Sequence, residues 1–385
     1  MRSVIVGGGI AGLALAVELS TRGVAATVVE ARYPGAGNST RNVGRIRRMQ
    51  LTEDLTEFSC RASEKWRQVD RLTGGRNPLL YPTQYAWAMY GEDELAIVEP
   101  LQPMWKRFNA RARVVGTKAL LDAVPILRGG ELVVGGVIGD AAIVHHDAAV
   151  YAYYLFAREA GVHFEVGQPA VGVESHGGRA TGLTLADGRT IPADAVVNAA
   201  GGKAGDFARV CGVSSPNEPL RREVLVTEPS RPFMKPAVTF YRPQEGWFNQ
   251  TLRGELVAGV VAVDEPFGMN ERSSCGFLSR TARTLLAKAP RLGELRVVRQ
   301  WAGVYDMTPD KRPLVGEYPD LPGFYALNGW SGRGMLLAPL AAELLACEIS
   351  GGARSPLLDP FDPGRFSTND VRVTAHSDYY SGYAH

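Results

Sequence analysis

The stretch Met1–Glu30 limits what this chain can fold into more than any other. An apolar run, Ser3–Val6, leads into Gly7-Gly8-Gly9-Ile10-Ala11-Gly12; a helical pattern then reaches Leu19, Gly23 stops it, and a second apolar run, Thr27–Val29, ends in Glu30. That order predicts a strand, a glycine turn, a helix and a second strand. Each glycine has its own task. Gly7 permits the tight turn, Gly9 lets the backbone approach a pyrophosphate, and Gly12 lets the helix pack on the strand. The helix N-terminus offers N–H groups and a positive pole to phosphates. Glu30 is placed to accept hydrogen bonds from the ribose hydroxyls of an adenosine. Glycines and Glu18 interrupt the apolar run, so it does not read as a secretory signal. The reading is a dinucleotide-binding β-α-β unit.

At 385 residues the chain has room for two domains. Its 45% hydrophobic and 21% charged residues are those of a soluble globular protein. A net charge of +2 supplies no field for nucleic acid or an anionic membrane, and the aromatics around Tyr318–Trp330 do not alternate with a basic stripe. Cys60, Cys211, Cys275 and Cys347 are scattered without metal-ligand spacing and read as reduced thiols, so no metal is expected and a cytoplasmic location is. No uncharged run is long enough to span a bilayer. Peripheral membrane association for electron transfer stays open.

After Glu30 comes a turn-rich stretch of small residues and hydroxyls, including Ser39 and Thr40, followed by Arg45-Ile46-Arg47-Arg48. So near a pyrophosphate site, these suit phosphate and flavin contacts. Residues 53–72 show helical periodicity, with Leu55, Phe58, Ala62, Trp66 and Val69 on one face. Asp147 is placed as the N-cap of a helix over Ala148–Ala160. The apolar segment from Ala195 ends on small residues, Ala199-Ala200-Gly201, where a ligand can approach a strand's carboxyl end. Between Arg221 and Val263, short β-rich runs separated by Pro and Gly predict an inserted antiparallel sheet. Ser273–Ala289 reads as a helix. Finally Gly329-Trp-Ser-Gly-Arg-Gly334 joins a strand to an apolar helix, aiming a second helix N-terminus at whatever lies beside it.

Four stretches together resemble a known family: the opening glycine motif, Ser39-Thr-Arg through Arg47, Val197–Gly201, and Asp306–Asp310 with Gly329–Gly334. The chain is similar to FAD-dependent amine and amino-acid oxidoreductases typified by D-amino-acid oxidase, glycine oxidase and sarcosine oxidase. Within that family it looks nearest to sarcosine oxidase β subunits and dye-linked L-proline dehydrogenase β subunits. The resemblance implies an α/β fold: a discontinuous Rossmann-like FAD domain of the glutathione-reductase type, with an α+β substrate domain on an antiparallel sheet. The FAD domain is expected over 1–82, 145–218 and 298–368, the substrate domain over 83–144 and 219–297, and a tail over 369–385.

Cofactor contacts carried over by the resemblance fall on Gly7, Gly9, Ile10, Ala11, Gly12, Glu30, Ala31 and Arg32. They continue at Ser39, Thr40, Arg45 and Ile46, then at Val171, Ala200, Gly201 and Gly303. The late turn Gly332, Arg333, Gly334 and Met335 is implied to meet the flavin N1–C2=O edge, where reduction places negative charge. The family often has His where this chain has Arg333, a permanent cation. The flavin-linking cysteine of monomeric sarcosine oxidases would fall near Gly303, so FAD is expected to be noncovalent. Arg47 matches an arginine that pairs with the substrate carboxylate, with Arg45 and Arg48 as competitors and Arg333 as a second carboxylate ligand. Phe248, Gln250 and Tyr305 are expected to line the pocket.

A lysine that would fall near Leu336, and the lysine linked to oxygen activation, have no match. That favours a dehydrogenase passing electrons to a quinone or dye-like acceptor. His146 matches a histidine that carries covalent FMN in heterotetrameric relatives, a role needing a partner subunit; the plainer reading is a polar residue ahead of a helix. The expected activity is oxidation of a C–N bond by hydride transfer to flavin N5, with L-proline or another secondary amine as substrate. Glycine, D-amino acids, a 2-hydroxy acid, or service as an FAD-carrying subunit of a homo- or hetero-oligomer are the alternatives.

Overall fold

The computed structural model describes residues 1–72 and 79–366; the expected tail lies outside them. The opening motif forms β1 (Arg2–Val6), α1 (Ile10–Ser20) and β2 (Ala25–Glu30). β1 lies inside a sheet ordered Leu314–Glu317, Phe324–Asn328, Ala195–Asn198, β1, β2, His163–Val166. All neighbours are parallel except Leu314–Glu317 against Phe324–Asn328. Such a sheet is covered on both faces at its centre, which is why β1, Ala195–Asn198 and Phe324–Asn328 are mostly apolar runs.

α1 is apolar nearly all round and is buried accordingly. It packs against the C-terminal helix Gly334–Ile349, and both share one core with α2 (Glu53–Leu72). α2 contributes the stripe read from its periodicity: Leu55, Phe58, Ala62, Trp66 and Val69 are all buried. The Trp66 indole N–H donates to Met335 O at 2.8 Å, tying α2 to the first turn of the last helix.

A larger sheet covers this half. Its order is Val297–Met307, Glu218–Thr227, Leu256–Val260, Gly246–Gln250, Pro236–Phe240, Leu80–Met89, Gly135–Val144 and β3 (Arg45–Arg47), with Ala112–Gly116 added on Gly135–Val144. The expected antiparallel pattern holds with one exception. Pro236–Phe240 runs parallel to Leu80–Met89, which the long connection between them allows. Strands β3 and Val297–Met307 belong to this sheet, although their residues fall mostly in the stretches allotted to the dinucleotide half. The helix expected over 273–289 is Gly276–Lys288, packed beneath this sheet.

One cap is corrected. The helix expected from Ala148 starts at His146, and His145 is its N-cap, with Nδ1 accepting the Ala148 N–H at 3.3 Å. The preceding strand stays paired through Val144 and turns at once, so the helix begins early. Asp147 falls in the first turn, where its charge suits the helix pole.

Candidate functional site

Both helix N-termini marked by the sequence open onto one cavity of about 840 Å³, lined by both sheets. At its first end β1 gives way to Gly7, whose φ of +109° glycine adopts without strain. A Cβ there would meet Ala199 O at 2.5 Å, and one on Gly12 would meet Gly7 O at 2.0 Å. The Ser39 Oγ accepts the Ile10 N–H at 2.9 Å. The Glu30 carboxylate accepts the Gly8 and Arg32 N–H groups, each at 2.8 Å, and keeps acceptor capacity toward the cavity. Arg32 and Arg41 reach across to Glu271 at 3.4 and 3.0 Å, so the segment carrying Met269 and Glu271 is strapped along the cavity wall.

The other end is the glycine turn after Phe324–Asn328. Ser331 and Gly332 have φ of +47° and +84° and lead into Arg333, the N-cap of the last helix. Gly332 is pressed on Tyr305, with 2.5 Å between a built Cβ and that ring. Asp306 holds the turn through an Oδ2 bond from Gly329 N–H at 2.7 Å, and its backbone O accepts the Ser331 N–H at 3.0 Å. Burial pushes the Asp306 carboxyl up to about 7, against the pull of the Trp330, Asp306 and Gly329 backbone N–H groups. Arg333 is buried and donates through Nη1 to Lys311 O at 2.9 Å.

The larger sheet supplies the facing wall. β3 alternates, so Arg45 and Arg47 both point into the cavity while Ile46 points into the core. Arg45 donates to Asn249 Oδ1 at 2.9 Å and Thr239 Oγ1 at 3.1 Å, with its guanidinium 4.7 Å from the Trp247 ring. Burial lowers its pKa from the ordinary arginine value. Arg47 donates to Tyr85 OH at 3.0 Å, and that hydroxyl is 2.6 Å from Thr239 Oγ1. Burial alone would raise the Tyr85 phenol, but Arg47, then Arg45, together with its hydrogen bonds, bring it below the ordinary tyrosine value. Tyr305 moves the other way: burial raises it more than Arg222, Arg45 and Arg47 lower it.

Most expected residues meet here. Gly7, Gly9, Ile10, Ala11, Glu30, Ala31, Arg32, Ser39, Arg45, Arg47, Val171, Ala200, Gly201, Gly303, Tyr305, Gly332, Arg333, Gly334 and Met335 all line the cavity. Others do not. Gly12 packs helix on strand, and the Thr40 hydroxyl donates to Gly35 O at 2.7 Å. Phe248 is fully buried in the core beneath the larger sheet, and the Gln250 side chain ties Phe233 N–H to Gly254 O. The strand Gly246–Gln250 simply presents its other parity: Trp247 lines the cavity and Asn249 grips Arg45. Arg48 turns away to Ser63, Asn109 O and Glu64, which removes it as a competitor of Arg47. His146 lies outside the cavity lining, 3.5 Å from Asp147, and burial lowers its pKa.

Sequence reading missed Tyr85, Thr239, Trp247, Arg222, Glu245 and Lys311 on the wall. Period-two alternation linking Arg222 to Val224, both of which line the cavity, was the available signal. Nothing local marks Lys311, which sits in a turn with φ of +57°.

The donor set fits an adenine dinucleotide carrying a ring system. An acidic ribose acceptor and a helix N-terminus stand at one end, and a second helix N-terminus with buried cations at the other. Among the described residues no group of side chains has metal-site geometry, and no helix is long and apolar enough to cross a membrane.

Known proteins agree with this layout. The chain is 26% identical to a sarcosine oxidase subunit beta of Rhodobacter capsulatus, across 94% of this chain and 88% of that one. It is 25% identical to a glycine oxidase of Pseudomonas putida, across 93% and 96%. Its structure superposes on L-proline dehydrogenase from P. horikoshii with a TM-score of 0.88 and 25% identity, covering 96% and 99% of the two chains. The profile of the FAD dependent oxidoreductase family named DAO matches residues 2–348, and this chain belongs to that family.

Proposed function

We propose that this protein oxidises the C–N bond of an amino acid or secondary amine, with FAD held noncovalently along the cavity. The observation that carries the reading is Arg47. A guanidinium oriented by Tyr85 at 3.0 Å shares one cavity with the dinucleotide motif and the late glycine turn. FAD, when bound, supplies the two-electron acceptor at its ring.

The chain supplies the rest. Glu30, Ser39 and the α1 N-terminus suit the adenosine and phosphate end, while Arg333, Gly334 and Met335 suit the pyrimidine edge. Noncovalent binding is supported by the absence of cysteine and histidine from the lining among the described residues. Arg47 would fix the substrate carboxylate by paired N–H donors, orienting the carbon that loses hydride. Tyr305, backed by Gly332, would narrow the space and exclude water. An oxidation of this kind needs a neutral amine and a held carboxylate more than it needs a strong base.

An anaerobic scan for loss of the oxidised-flavin absorbance tests this, with L-proline and N-methylglycine as the first compounds. Bleaching by either, with half-saturation raised about 10- to 100-fold in Arg47→Ala, is the expected result. Bleaching by 2-hydroxyglutarate and by no amine would instead select a hydroxy-acid dehydrogenase.

For the acceptor we propose a quinone or dye. Lys311, at the cavity wall, is the observation that favours oxygen instead, and the same assay run under air separates them. A second reading makes the chain the FAD-carrying subunit of a complex, with FMN on His146 at a partner interface. The names of the sarcosine oxidase subunit beta relatives favour it. Isolated protein that no amine bleaches would support it.

A further inference from the structure

Arg222 is a charged residue of the cavity wall that the described residues leave without an ion pair. It projects from Glu218–Thr227 on the face shared with Val224, while its neighbours Arg221 and Glu223 turn to the opposite face. Arg221 there is paired in two-point fashion with Glu265, and Glu223 takes Ser273, Ser274 and Arg280. Arg222 has no ion pair among the described residues. Its guanidinium lies 5.4 Å from the Tyr305 ring, and its one hydrogen bond runs from Nη1 to Arg221 O at 3.0 Å. Among the described residues, two of its three nitrogens have no hydrogen bond. Arg32 and Arg41 are matched by Glu271, Arg45 and Arg47 are held by Asn249, Thr239 and Tyr85, and Arg222 has only the one backbone carbonyl.

The placement within the sheet matters. Arg45 and Arg47 stand on the strand at one end of the larger sheet, and Arg222 stands on the second strand from the other end. All three line one cavity with Tyr305 and Glu245, and Arg222 lies 5.4 Å from the Tyr305 ring. Three guanidinium groups therefore face one carboxylate across the space next to the late glycine turn. A substrate with one carboxylate would satisfy Arg47 and leave the half-buried Arg222 without an anion.

We propose that the substrate carries two acidic groups, with Arg47 receiving one and Arg222 the other: an amino or imino dicarboxylate rather than a simple monocarboxylic amine. Glu245 faces the amine between them. The Arg222 fork, beside Tyr305, has the planar geometry that binds a carboxylate with paired N–H donors.

This rests on the proposed amine oxidation for the name of the substrate, but its first test does not. The flavin-loaded protein is titrated calorimetrically with succinate and with butanoate, which match in length and differ by one carboxylate. Succinate is expected to bind about 10- to 100-fold tighter, and Arg222→Ala to collapse that ratio to about twofold or less. If Arg222→Ala loses its native circular dichroism, Arg222→Gln serves in its place. Equal affinities, no succinate binding, or a variant that keeps the ratio would overturn the proposal. In a second test, N-(carboxymethyl)glycine should bleach the flavin at lower concentration than N-methylglycine. If succinate selectivity holds while no amine bleaches the flavin, the oxidation reading falls and the two-anion site stands. Bleaching by N-methylglycine without succinate selectivity means the reverse.

Discussion

Asp306 accepts the Gly329 N–H at 2.7 Å, so a buried carboxyl on the larger sheet holds the first residue of the turn that closes the smaller one. Burial raises this carboxyl from its ordinary 3.8 to about 7. The protonated form is thus the one the fold favours. Stability from this group is fully present below pH 4 and is lost as pH climbs toward 7, at a slope of at most about 1.4 kcal/mol per pH unit.

Asp306→Asn should remove that dependence while leaving an acceptor for Gly329 N–H. Thermal unfolding of both proteins between pH 4.5 and 8 is the check. The variant is expected to gain on the parent with rising pH, by up to ~3 kcal/mol across the range. A constant difference would show that the carboxyl titrates normally.

Gly332→Ala should be costly on two grounds. The residue has φ of +84°, and its new methyl would lie 2.5 Å from the Tyr305 ring. Together these amount to roughly 2–4 kcal/mol of stability, with reduced flavin content on purification. In a Tyr305→Ala background the ring clash is gone, so the same substitution should cost only the backbone share. The double-mutant cycle measures the difference.

Glu30→Ala removes the acceptor of two backbone N–H groups at 2.8 Å and the acid proposed for the ribose. Apoprotein titrated with FAD, followed by flavin fluorescence, should show affinity lower by about 10- to 100-fold. Glu30→Gln, which retains one oxygen, should fall between.

Glu271→Ala cuts the strap to Arg32 and Arg41. Both pairs are partly exposed, so each contributes about 0.2–1 kcal/mol. FAD release should accelerate several-fold, and the gap between variant and parent should shrink in 1 M salt. Stopped-flow dilution into an excess of an FAD-binding apoprotein as trap reads the rate directly.

How much was legible follows from how far apart the deciding residues lie. β1, the glycine turn, α1 and β2 could be read because their contacts are local: Glu30 reaches Gly8, and Gly12 touches Gly7. Arg45 and Arg47 were legible as a pair because one strand alternates. Facing was harder. Trp247 and Phe248 are both large and apolar, so composition could not tell which parity of Gly246–Gln250 faced the cavity; only the pairing with Pro236–Phe240 and Leu256–Val260 decides it. Arg222 and Arg221 are adjacent and identical in type, and Glu265, far along the chain, separates their roles. The cap at His145 was hidden by Asp147, a better cap former by type, because the strand's last pairing sets where the helix starts.

The sheet order has a consequence for synthesis. β1 is flanked by Ala195–Asn198, which is flanked by Phe324–Asn328, and α1 rests on a helix that ends at Ile349. A nascent chain leaving the ribosome therefore carries the glycine motif about 300 residues before the turn and helix that close the far end of the cavity. Prosthetic-group loading should follow translation rather than accompany it, and fragments truncated before residue 334 should emerge colourless.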